Sequence, residues 1–116
     1  MQFDVERTTV LGRPALTVRG DLDIATAPRL EEAAESQLSQ QPQSLVVDLT
    51  HTTFLDSSGA RELVRIARRA ATGGVDLQVV CPNANRPVRL VVDLMELRAV
   101  VPIVESAGLR GNEVGP

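Results

Sequence analysis

A chain of 116 residues has bulk for one packed core and little room for a second. Its formal charge is -3, its only aromatics are Phe3 and Phe54, and all twelve of its basic residues are arginine. The first two facts exclude the basic stripe and the stacking platforms of a nucleic-acid binder, and the missing lysine excludes Schiff-base, P-loop and receiver-type chemistry. An apolar fraction of 43% with 23% charged residues argues against disorder. No apolar run approaches the roughly 20 residues that span a bilayer. The acidic, alternating opening MQFDVERT fits neither a signal nor a transit peptide, and the single Cys81 fits a reducing compartment. Together these point to the cytoplasm.

In chain order, Phe3, Val5 and Arg7 alternate with polar neighbours as in a strand. The turn Gly12-Arg13-Pro14 leads to a second strand through Ala15, Leu16 and Val18, which Gly20 is expected to end. A helix follows, with Thr26 as its candidate N-cap and Pro28 in its first turn. Ala27, Leu30, Ala34 and Leu38 share one face of it, Glu31, Glu32 and Glu35 the other, and Pro42 stops it. The β-branched run Ser44 to Leu49 predicts a buried strand. Thr50 to Leu55 then reads as the connection into Asp56-Ser57-Ser58-Gly59, where a second helix begins and runs to about Thr72. Its apolar face is Ala60, Leu63, Val64, Ala67, Ala70 and Ala71; Arg61, Arg65, Arg68 and Arg69 form a solvated face, and Gly73-Gly74 is the stop. A strand over Asp76 to Val80, a loop from Cys81 to Asn85, a short helix over Pro87 to Met95 and an edge strand over Val100 to Val104 complete the pattern. This is an α/β chain with a sheet of four or five strands and right-handed βαβ crossovers.

The chemistry gathers at Asp56-Ser57-Ser58-Gly59. Backbone N–H groups at a helix start are unpaired and carry about half a positive charge, so the place favours an anion. A serine there can cap the helix, and a phosphorylated serine gains roughly -1.5 to -2 charge units beside those donors. Gly59, lacking a side chain, would let a partner approach the backbone closely. The same residues also fit a plain serine cap preceded by a loop aspartate.

Gly20-Asp21-Leu22-Asp23, Thr26-Ala27-Pro28, the run LVVDLTHTTFLDSSG and Pro87-Val88-Arg89 together resemble the STAS domain of bacterial anti-sigma factor antagonists. The resemblance covers about residues 2 to 100 at nearly matching spacing. It implies one STAS domain over residues 1–109, a mixed sheet of four to five strands with three to four helices, and a flexible tail over 110–116. It implies a regulatory protein with no catalysis and no cofactor or metal of its own. In that family the second serine of DSSG is phosphorylated by an anti-sigma factor that is also a serine kinase. The unmodified antagonist binds that partner and frees a sigma factor, and a phosphatase resets the cycle. Carried over, Ser58 is the phospho-acceptor, and Asp21, Asp23, Thr26, Asp56, Ser57 and Gly59 surround it at the partner surface. No direct nucleic-acid contact or membrane insertion is implied, and a monomer or weak dimer is expected. The alternative within the same fold is a subunit of a stress-signalling scaffold or of a lipid-transport complex. The chain departs from the pattern at its C-terminus, where SAGLRGNEVGP offers little helix in place of the family's closing amphipathic one.

Electrostatics supply a mechanism. Asp21, Asp23 and Asp56 make the expected binding face acidic, and each unit repulsion at about 6 Å and an effective dielectric of about 20 is worth roughly 3 kcal/mol before screening. Half of that, about 1.4 kcal/mol, is tenfold in affinity. A small serine hydrolase using His51 with Asp48 or Asp56 is the reading from another class, but neither serine sits in the glycine frame of a nucleophile elbow.

Overall fold

The alternating N-terminal segments pair as an antiparallel hairpin, β1 (Asp4–Val10) with β2 (Arg13–Leu22), in a computed structural model that describes residues 2–108. The turn between them is Leu11-Gly12, with φ of 53° and 77°, the positive pair that a two-residue hairpin turn requires. β2 does not stop at Gly20, as its sequence suggests. The register shifts between Gly20 and Asp21, and the strand continues to Leu22. Gly20 adopts φ 92°, and a Cβ there would lie 3.0 Å from the Phe3 Cα, so glycine permits both the bend and the close approach.

The bent end of β2 has a partner that the sequence reading missed. Residues Thr52–Leu55 form β4, lying parallel to β2 with Asp21 opposite Phe54 and Leu22 opposite Leu55. The main sheet runs β1-β2-β3-β5-β6, where β3 is Ser44–Asp48, β5 is Asp76–Val80 and β6 is Ile103–Val104. Among the described residues only the β1–β2 pair is antiparallel. The sheet is thus mixed, with five strands on its main path and β4 against the far end of β2. The expected last strand is shorter than Val100 to Val104, because Leu97–Ala99 coil into a 3-10 turn and only Ile103 and Val104 pair with β5.

Among the described residues three helices pack on one face of this sheet. Leu30, Ala34 and Leu38 of α1 (Ala27–Leu38) join Leu63, Ile66 and Ala70 of α2 (Ser57–Thr72) and Val88 and Val92 of α3 (Arg86–Leu94). They meet alternate sheet residues, Leu16 and Val18, Leu45 and Val47, Leu77 and Val79, the two-residue period of strands with one face to a core. Ile66 belongs to this face and Ala71 does not. The opposite sheet face holds a smaller cluster of Ala15, Val46 and Val80. Cys81 is fully buried in the main core, and burial pushes its thiol pKa up, which makes it a small core residue.

The arginines of α2 do not form one solvated face. Arg61 and Arg68 are exposed, but Arg65 and Arg69 bridge to α1, with Arg65 Nη1 3.3 Å and Arg69 Nε 3.1 Å from the Glu35 carboxylate. Arg65 also grips the buried Glu62 at 2.7 Å. No helix among the described residues is long and apolar enough to cross a membrane. The expected tail over 110–116 lies outside the described residues.

Candidate functional site

The pairing of β4 with β2 decides how α2 begins. Asp56 follows β4 directly, and its N–H donates to the Leu22 carbonyl at 3.3 Å. Its backbone is extended (φ -108°, ψ -174°), its Oδ1 accepts the Gly59 N–H at 3.0 Å and its carbonyl accepts the Ala60 N–H at 2.9 Å. Asp56 is therefore the N-cap, where a carboxylate answers both an orphan donor and the positive helix end. The serines do not cap; Ser57 and Ser58 are the first two residues of the helix, Ser57 exposed and Ser58 half-buried. The Ser58 hydroxyl faces Arg61, whose Nη2 lies 3.4 Å from Oγ.

The second carboxylate oxygen of Asp56 reaches another segment. Oδ2 accepts the Ile24 N–H at 3.2 Å, which ties the loop between β2 and α1 to the start of α2. Two motifs 32 residues apart in sequence are thus joined by one side chain. The loop is shaped from within. Asp23 Oδ1 accepts the N–H groups of Ala25 at 3.0 Å and Thr26 at 3.1 Å, a side-chain turn of the kind aspartate favours. Thr26 precedes α1 but makes no side-chain cap bond. Its hydroxyl instead accepts the Asp23 N–H at 2.9 Å and donates to the Asp21 carbonyl at 2.7 Å. The exposed Asp21 carboxylate accepts the Thr53 hydroxyl at 2.6 Å, fastening the bent end of β2 to β4.

Gly59 has a different use from the one its sequence position suggests. It is buried, and a Cβ there would fall 2.5 Å from the Leu22 carbonyl oxygen and 2.7 Å from the Leu55 side chain. The close approach that demands glycine is that of strand β2. Two exposed apolar residues not singled out in the sequence lie on these segments: Ile24 is 75% exposed in the loop and Phe54 is 48% exposed on β4. Their signal was available, since each is a large apolar residue inside a polar motif.

His51 and Asp48 belong to the turn between β3 and β4. His51 lies exposed in the turn between β3 and β4, where its carbonyl accepts the Gly20 N–H at 3.3 Å. Asp48 holds that same turn, accepting the N–H of Thr50 at 2.9 Å and its hydroxyl at 2.6 Å. Among the described residues no group of three or more His, Cys, Asp or Glu is arranged to hold a metal ion.

Residues 4–108 match the model of the STAS domain family. The anti-sigma-F factor antagonist RsfB of Mycobacterium tuberculosis is 32% identical over 81 residues, which make up 68% of this chain and 66% of that protein. The chain therefore spans just under two thirds of the length of that curated relative. An anti-sigma factor antagonist from Mycobacterium paratuberculosis superimposes with a TM-score of 0.74 at 24% identity, covering 90% of this chain and 87% of its own. The anti-sigma factor antagonist SpoIIAA in its unphosphorylated form gives a TM-score of 0.64 at 16% identity, covering 91% and 90%. At such identities the structural likenesses speak to fold, while the family match extends over nearly the whole chain. The chain belongs to the STAS domain family.

Proposed function

We propose that this protein is an anti-sigma factor antagonist whose unmodified form binds an anti-sigma factor with serine kinase activity, and whose Ser58 is the residue that the kinase phosphorylates. The observation that carries the reading is the cap. With Asp56 holding the Gly59 N–H and the Ile24 N–H, Ser58 sits in the first turn with its hydroxyl at the surface, beside helix N–H groups that favour an added anion. The relatives named as anti-sigma factor antagonists support the choice of partner.

The surroundings suit a regulated interface. Ile24 and Phe54 offer exposed apolar area in the loop before α1 and on β4, the kind of side chain on which binding energy concentrates. Asp21, Asp23 and Asp56 add negative charge on the same segments, which favours a basic partner surface. A phosphoryl group on Ser58 adds like charge to that face and requires no refolding, because the helix start accommodates it. Release of the partner by a phosphatase-reversible charge follows from these terms.

Incubation with the anti-sigma kinase and ATP tests the assignment. One phosphate should appear on the chain, Ser58→Ala should abolish it, and Ser57→Ala should only slow it. Phosphate remaining on the Ser58→Ala protein would contradict the assignment.

A further inference from the structure

We propose that Arg61 is a built-in phosphate ligand, whose guanidinium pairs with the phosphoryl group once Ser58 is modified; this rests on the reading of Ser58 as the acceptor. Ser58 and Arg61 are three residues apart on α2 and so share a face of the helix. Nη2 of Arg61 already lies 3.4 Å from the Ser58 Oγ, a long contact for a neutral hydroxyl. A phosphoryl group extends outward from that oxygen with three strong acceptors, onto a planar donor fork that matches it. The ion pairs of α2 among the described residues employ Arg65 and Arg69, which face α1. Arg61 is exposed and has no carboxylate partner among the described residues, so its charge is available.

The pairing has consequences for the switch. It holds the phosphoryl group in one orientation against the helix start, and it withdraws the guanidinium from the surface shown to a partner. Modification of one serine then changes the charge presented at two positions. The groups acting on the phosphate oppose one another. Asp56 at the cap, with Asp21 and Asp23 on the segment that Asp56 tethers, disfavours the dianion, whereas the helix start and Arg61 favour it.

The test uses the full chain with phosphoserine installed at position 58 during synthesis, independent of any kinase, and follows its second ionisation by phosphorus NMR. The second pKa in the unsubstituted background should lie about half a unit below that of Arg61→Gln, and the gap should narrow at high salt. Arg61→Lys, which keeps the charge and loses the fork, should recover part of the gap. Equal pKa values with Arg61 and with Arg61→Gln would overturn the proposal. A gap that Arg61→Lys leaves wholly unrestored would assign the effect to a disturbed helix, and would overturn it too. Because the phosphate is installed chemically, these outcomes are independent of whether the kinase selects Ser58.

Discussion

Asp56 performs three tasks with one residue: its N–H pairs with β2, one oxygen caps α2 and the other holds the loop before α1. That economy explains why the loop before α1 and the start of α2 are joined although they are 32 residues apart in sequence. Gly59 is the residue that allows it, because α2 starts in contact with the Leu22 carbonyl. Gly59→Ala should therefore lower stability by about 1–3 kcal/mol through overpacking, read as an earlier denaturation midpoint. An unchanged midpoint would mean that α2 can move away from β2 without loss. The start of α2 was legible in DSSG, but its cap was not. Aspartate and serine are comparable N-caps, and the pairing of the Asp56 N–H with the Leu22 carbonyl, invisible in the local sequence, decides between them.

Among elements, the junction of α1 and α2 carries the pH dependence. Burial alone would raise the Glu35 carboxyl, but hydrogen bonds from Arg65 and Arg69 outweigh it and hold the pKa below its ordinary value. A carboxyl whose pKa is depressed by folding contributes stability above its unfolded pKa and loses it as pH falls through the folded one. Glu35→Gln should thus remove part of the acid-induced fall in melting temperature, with little change in the slope above the carboxylate range. Glu62 behaves in the opposite sense: burial raises its pKa and Arg65 offsets this only in part, so its contribution is present at low pH and fades as pH rises. Melting curves across the acid range, in which Glu35→Gln leaves the acid limb as steep as before, would show that the bridge does not couple to folding. This junction was only half visible in the sequence. The helical periods of α1 and α2 place glutamates and arginines on their polar faces, but which of them meet depends on how the helices lie across the sheet. β4 was missed for a related reason: Thr52-Thr53-Phe54-Leu55 is short and half polar, and it becomes a strand because the bent end of β2 supplies an edge for it.

For the whole molecule, the alternation of strands and helices is enough to name the fold class, since parallel strands need crossovers and helices need a face to bury. What the alternation does not give is the corner where β2, β4, α2 and the loop before α1 converge. If that corner is a charge-operated switch, modification should alter binding and leave the fold alone. A carboxylate in the first helical turn interacts favourably with the dipole by about 0.3–1 kcal/mol, so Ser58→Glu should melt near the unsubstituted protein. Glutamate carries one charge where phosphoserine carries nearly two, so its effect on binding should be smaller and sensitive to salt. Calorimetric titration against the anti-sigma partner, at low and high salt, compares the unmodified, phosphorylated and Ser58→Glu proteins directly. Affinity should be at least about tenfold weaker for the phosphorylated protein, with an intermediate, salt-dependent loss for Ser58→Glu; equal affinity for all three would rule out a charge-operated switch.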